Sequence, residues 1–231
     1  SYQSFQIVSA LMPERRMFRD SIGKIPVTTQ NASGQFQSQL LTVTLYKLKP
    51  PGRLIRKRYW EEPDQFVMGE EEYIKTFPYD EYRNETNKAN WERIEVVEKK
   101  TDSTTADGLF DLDDKKTGHL SPGPHTNHYP PAGWYLIEFT AKDRNGEEIT
   151  DKRYVELMDS GGTKLDYPNY NVIVSEDVTS EPGNVVPIRT GTAAEDVFVI
   201  RANKRPGDSL SAYSFYQLSN KVQWTELKID E

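Results

Sequence analysis

The sequence contains no cysteine. Disulfides, thiolate metal sites and thiol nucleophiles are therefore excluded from this chain, although the compartment stays open, because many bacterial periplasmic proteins also lack cysteine. No apolar run approaches the ~18 residues needed to span a bilayer, and the chain opens on neither an initiator Met nor a signal-peptide pattern. Ser1-Tyr2-Gln3 running straight into a strand pattern is the expected look of a piece of a longer protein. There is no excess of basic charge: the formal net charge is −7, which argues against a broad nucleic-acid surface. Apolar residues are only 35% of the chain, enough for a thin core of the kind a β-sandwich has. A Gly-Xaa-Ser-Xaa-Gly elbow and a phosphate loop are both missing, so those routes to hydrolase or nucleotide chemistry are closed.

What is abundant points to short strands. Thirteen Tyr, nine Phe and four Trp favour strands, and fourteen Gly with fourteen Pro favour many turns. The organising stretch is Pro130 to Asp159, two alternating runs around Asp143-Arg144-Asn145-Gly146. Asn145-Gly146 tolerates positive φ, and Asp143 can accept amide hydrogen bonds inside the same turn. A lone hairpin is marginal in water, so it must pair with more sheet.

The rest of the chain offers that sheet. Strands are expected over 5–8, 22–29, 40–48, 94–99 and 109–112, about seven in all with the hairpin. Arg15-Arg16 reads as a charged stop after the first strand, and Ile94 and Val96 as one face of theirs. Between 50 and 93 the alternation fails. This excursion is charged and aromatic, with one helical signal at 70–77, and its aromatics are expected to pack on the first sandwich. Trp60, Tyr73, Tyr79 and Trp91 are its interaction candidates. Residues 160–168 read as a linker. A second set of strands follows from 169 to 231, small for a sandwich and expected to be incomplete or to lean on the first. The fold class is thus all-β: two consecutive antiparallel β-sandwiches, 1–159 with the insertion and 169–231.

Four segments resemble the bacterial alpha-2-macroglobulin family in its Bacteroidetes form. They are TVTLYKLKPPGRLIRKRYWEEPDQF (42–66), EEEYIKTFPYDEY (70–82), PAGWYLIEFTAKDRNGEEITDKRYVEL (131–157) and VTSEPGNVVPIRTGTAAEDVFVIRA (178–202). The resemblance implies macroglobulin-like, immunoglobulin-like domains from the interior of a large periplasmic or envelope-anchored protein that traps proteases. It implies neighbouring domains of the same long chain as partners, proteases met through the full-length protein, and any membrane anchor outside this stretch. The family's reactive centre is a Cys–Gln thioester, which a cysteine-free chain does not carry, so no catalytic or cofactor-binding residue transfers.

Other constellations weigh less. His119, His125 and His128 share one loop and have the chemistry of Zn²⁺ or Ni²⁺ ligands, with Asp111, Asp113 or Asp114 to complete a shell. The loop is rich in Pro and nothing sets two imidazoles on one face, so solvated histidines are the expectation, with no metal and no cofactor. Arg53, Arg56, Lys57 and Arg58 are followed by Glu61, Glu62 and Asp64, which favours local ion pairs over a nucleic-acid patch. The acids at 70–72 and 80–81 read as a solvated face rather than a glycosidase pair. The chain is read as non-catalytic. The alternative reading is a surface module that binds glycans or adheres through the aromatics of 59–91, since sugar rings stack on Trp and Tyr faces.

Overall fold

The computed structural model describes residues 5–56, 58–112, 129–165, 167–170, 172–175, 181–204 and 211–228. The chain forms two compact units, one from residues 1–50 and 91–160, the other from 51–90 and 161–231. Both are built mainly from antiparallel sheets, with a single α-helix among the described residues. No helix there is long and apolar enough to cross a membrane.

Among the described residues the first unit holds eight strands: β1 (Gln6–Ser9), β2 (Arg15–Phe18), β3 (Lys24–Gln30), β4 (Leu40–Lys49), β5 (Glu92–Ser103), β6 (Leu109–Asp111), β7 (Gly133–Lys142) and β8 (Glu148–Met158). They form a five-stranded sheet in the order β2-β8-β7-β4-β5 and a three-stranded sheet in the order β1-β3-β6. Side chains alternate across a strand, so one face of each sheet can be apolar. β4 turns Leu41, Val43 and Leu45 inward, and β7 adds Tyr135, Ile137, Phe139 and Ala141. Ile25, Val27 and Phe110 of the three-stranded sheet complete the same core. The two layers are also joined by polar contacts. The Thr29 and Thr104 hydroxyls share a buried 2.6 Å hydrogen bond, and Lys100 donates to the Asp111 carbonyl at 2.6 Å.

The β7–β8 turn uses positive φ at Gly146 (83°) and not at Asn145. Gly146 N–H donates to Asp143 O, while Asp143 Oδ1 accepts from the amides of Asn145 and Glu147 at 2.8 and 2.9 Å. This is the longer loop with glycine in the left-handed position, held by the aspartate side chain.

Two sequence expectations shift. β2, read as a charged stop, is an edge strand that pairs in parallel with β8, Arg15 opposite Val155 through Phe18 opposite Met158. Glu14 at φ 55° turns the chain into it, and Arg16 Nε donates to the fully buried Glu156 at 3.0 Å. In β5 the ladder to β4 slips twice, between Leu45 and Tyr46 and between Lys47 and Leu48. Each bulge adds one residue and reverses which face the following side chains take. Ile94 and Val96 are consequently half exposed, and Val97 packs against the core instead.

Tyr135 carries a pH prediction. Its ring is wholly buried and its hydroxyl donates to Pro131 O at 2.5 Å. Burial, with a smaller contribution from the Glu95 charge, pushes the phenol well above its ordinary value. In the unfolded chain the same group ionises near pH 10. Above that pH the unfolded state binds fewer protons at this group than the folded one, so the contribution of Tyr135 to stability is constant below about pH 10 and falls as pH rises beyond it. Tyr135→Phe is expected to cost about 1 kcal/mol at neutral pH and to flatten that alkaline decline, read by urea unfolding between pH 8 and 11. An unchanged alkaline slope in the variant would show that another group controls it.

The second unit contains α1 (Glu70–Thr76), β9 (Val172–Ser175), β10 (Val185–Thr192), β11 (Val197–Asn203), β12 (Ala212–Leu218) and β13 (Lys221–Lys228). β13-β10-β9 form one sheet and β11-β12 another, all antiparallel. A Cβ at Gly191 of β10 would meet Val222 Cγ2 at 2.7 Å, which explains glycine there. The residues expected as a linker are tied in: Val222 N–H donates to Thr163 O at 2.7 Å, Arg189 donates to Gly162 O at 2.7 Å, and Tyr167 is buried.

Candidate functional site

The stretch 51–90 leaves β4 and returns at β5, yet it groups with 161–231 rather than with the sandwich that flanks it. Of the aromatics expected to pack on that sandwich, Trp91 does so, edge-on to Trp134 at 5.8 Å between ring centroids. Tyr79 instead meets Tyr170, edge-on at 6.1 Å. Burial and the Tyr79 neighbour together raise the Tyr170 phenol above its ordinary value.

The interior of the stretch is an aromatic cluster. Acids at 70–72 suit the first turn of α1, and the helix places Tyr73 against Phe77 (5.2 Å) and Tyr82 (5.1 Å). Phe66 packs on Tyr82 at 4.5 Å, and the Arg83 guanidinium lies over both rings, 5.4 and 5.7 Å from their centroids. Tyr82 OH donates to Met68 O at 2.9 Å, fixing the loop before the helix.

The charged groups are satisfied close by. Arg53 donates to Pro78 O at 2.8 Å, to Asp80 O at 3.0 Å and, through one nitrogen, to both Glu85 oxygens at 2.9 and 2.7 Å. Arg56 pairs with Asp80, which raises the guanidinium pKa further. Arg58 reaches Glu62 and the Tyr82 carbonyl. Glu81 is buried and accepts from the amide and hydroxyl of Thr86. Asp80 and Glu81 thus have separate partners.

Over this frame lie two adjoining cavities that share Arg58 and Trp60. One, of about 250 Å³, is lined chiefly by Trp60, Phe66, Tyr73, Phe77 and Tyr82. The other, of about 110 Å³, has Tyr59, Trp60, Arg56 and Asp80 in its walls. Tyr59 is 94% exposed and Trp60 59%, so the rim offers aromatic faces to solvent.

No protein-family model matches the chain, and no curated protein matches it.

Of the sequence candidates, Trp60 and Tyr73 come together at the larger cavity, Tyr79 lies apart against Tyr170, and Trp91 belongs to the first unit. Sequence reading counts Phe66 and Phe77 among the aromatics that tether the excursion, though not among its interaction candidates, and misses Tyr82. Their spacing follows no single period, because a loop and a helix end bring them together. His119, His125 and His128 lie outside the described residues, as do Asp113 and Asp114. Among the described residues no group of three or more His, Asp or Glu could hold a metal ion.

Proposed function

We propose that the chain is a non-catalytic frame segment of a larger bacterial alpha-2-macroglobulin-like protein of the periplasm or cell envelope, whose full-length form traps proteases. Its partners on this reading are neighbouring domains of the same polypeptide. The reading draws on the four resembling segments and on the antiparallel sandwich character of the chain. The observation that carries it is the division of labour in 51–90. Arg53, Arg56, Arg58 and Glu81 are each engaged inside their own fold, while Tyr59, Trp60 and Val67 face outward. Such a surface suits packing against other domains, whereas trapping needs a cleavable segment and a reactive group that respond to cleavage. Incubating the purified chain with several unrelated proteases is expected to leave their activity intact and to give no covalent adduct. Stoichiometric inhibition or a protease–chain adduct on a denaturing gel would refute it.

A second reading has one observation in its favour. The two adjoining cavities beneath exposed Tyr59 and Trp60 have the stacking faces that a sugar ring uses. On that reading a glycan screen finds a ligand, and Trp60→Ala weakens it at least tenfold while Trp91→Ala leaves it unchanged.

A further inference from the structure

The hairpin of β11 and β12 is covered on one face and open on the other. On the covered face, Arg201 donates to Thr225 Oγ1 at 2.9 Å and to Glu226 O at 3.3 Å, both in β13, and Leu218 is buried. The open face is fixed by register: Ile200 lies opposite Phe215, Phe198 opposite Gln217 and Ala202 opposite Tyr213. Phe198, Ile200, Tyr213 and Phe215 are each between 59% and 61% exposed. The three rings stand near-parallel in a row, Phe198 on Phe215 at 6.1 Å and 19°, and Tyr213 on Phe215 at 6.5 Å and 17°. None of the six outward residues is charged, in a chain that is 28% charged. A face meant for water would carry charge, as sheet surfaces ordinarily do.

We propose that this face is a homodimer interface, in which two copies of the chain stack their β11–β12 hairpins face to face about a twofold axis. Two features select a second copy. A twofold axis sets the same patch against itself, so the patch must tolerate its own image, and one without charge meets no like-charge repulsion despite the chain's net charge of −7. Rows of near-parallel rings on two such sheet faces can pack at the ~10 Å spacing of stacked sheets. The area sets the strength. Four large side chains exposed to about three-fifths offer roughly 400 Å², so two copies hide roughly 800 Å², below the ~1,200 Å² of stable interfaces and in the range of transient ones. The pair is therefore weak and reversible, with a dissociation constant on the order of tens of micromolar.

Sedimentation velocity of the whole chain over a range from micromolar to about half-millimolar tests this. The mean mass is expected to rise towards twice the chain mass and to stop there. Phe215→Lys and Ile200→Lys, both at solvent-facing positions, are expected to raise the dissociation constant at least tenfold with unchanged melting curves. Val67→Lys, elsewhere on the surface, is expected to leave it alone. Raising the salt concentration should not dissociate the pair, because no ion pair holds it. A chain that stays monomeric throughout, association that ignores both lysine variants, or growth past the dimer would each overturn the proposal.

Discussion

A chain in which residues 51–90 are replaced by Asn-Gly, and which stops at Ser160, is expected to fold cooperatively on its own. The stretch removed belongs to the second unit. The strands it interrupts are already neighbours, with Lys49 opposite Glu92 at the open end of the β4–β5 ladder. Pro50, Asn-Gly and Trp91 then make a four-residue hairpin loop, a length that antiparallel strands accept, and Trp91 keeps its place on Trp134. All of the main core, from Phe5 to Leu157, is retained. The converse is the larger effect. Residues 161–231 made alone lose Tyr79 from Tyr170 and the whole aromatic cluster, and a piece on the order of 70 residues has little core to spare. It is expected to be unfolded. Amide dispersion in two-dimensional NMR spectra and thermal melts of the two pieces decide the matter. A well-dispersed, cooperatively melting 161–231 would show that the 51–90 stretch is an appendage of the second unit rather than part of it.

Arg53→Ala is expected to cost the second unit roughly 2–4 kcal/mol. Its guanidinium spans two carbonyls and both oxygens of Glu85, and Glu85 in turn accepts from the Tyr82 amide at 2.8 Å. Both members of the pair are only 21% exposed, so water replaces little of what is lost. Arg53→Lys should recover only part of the loss, because an ammonium cannot present the planar fork. Hydrogen exchange of the amides in 66–85 reads the effect directly, as faster exchange confined to that stretch. A loss under 1 kcal/mol, or equal stability for the lysine and arginine forms, would mean that the aromatic cluster alone holds the segment.

The parts of this fold that could be read in sequence are those whose cause is local. β4 and the β7–β8 hairpin announce themselves through alternation at Leu41, Val43 and Leu45 and at Tyr135, Ile137 and Phe139, and a turn aspartate before Asn-Gly adds its own signal. The helix at Glu70–Thr76 shows because its acids and the following Pro78 bound it. β2 was hidden because its strand character comes from a parallel partner some 140 residues away, not from its own composition. The bulges in β5 were hidden because sequence alternation assumes an unbroken ladder. The candidate site was half legible. The weight of aromatics in 59–91 was plain, but their partner was not: Tyr170 lies far along the chain, and nothing near Tyr79 names it.

The chain passes between its two units three times, after Pro50, Asn90 and Ser160. During synthesis this sets an order of events. Residues 51–90 leave the ribosome before the 70 residues of 91–160 (160 − 91 + 1), and only afterwards do the strands they belong with emerge. At ~5–20 residues per second this is a delay of several seconds. Over that interval the nascent segment depends on its own contacts, Phe66, Tyr73, Phe77 and Tyr82 around the Arg53–Glu85 pair. The ladder of the first sandwich can meanwhile form without it, because the strands on either side of the segment meet at Lys49 and Glu92. The ring contacts of the cluster are complete once 51–90 has emerged, whereas the contact of Tyr79 with Tyr170 must wait for the later residues.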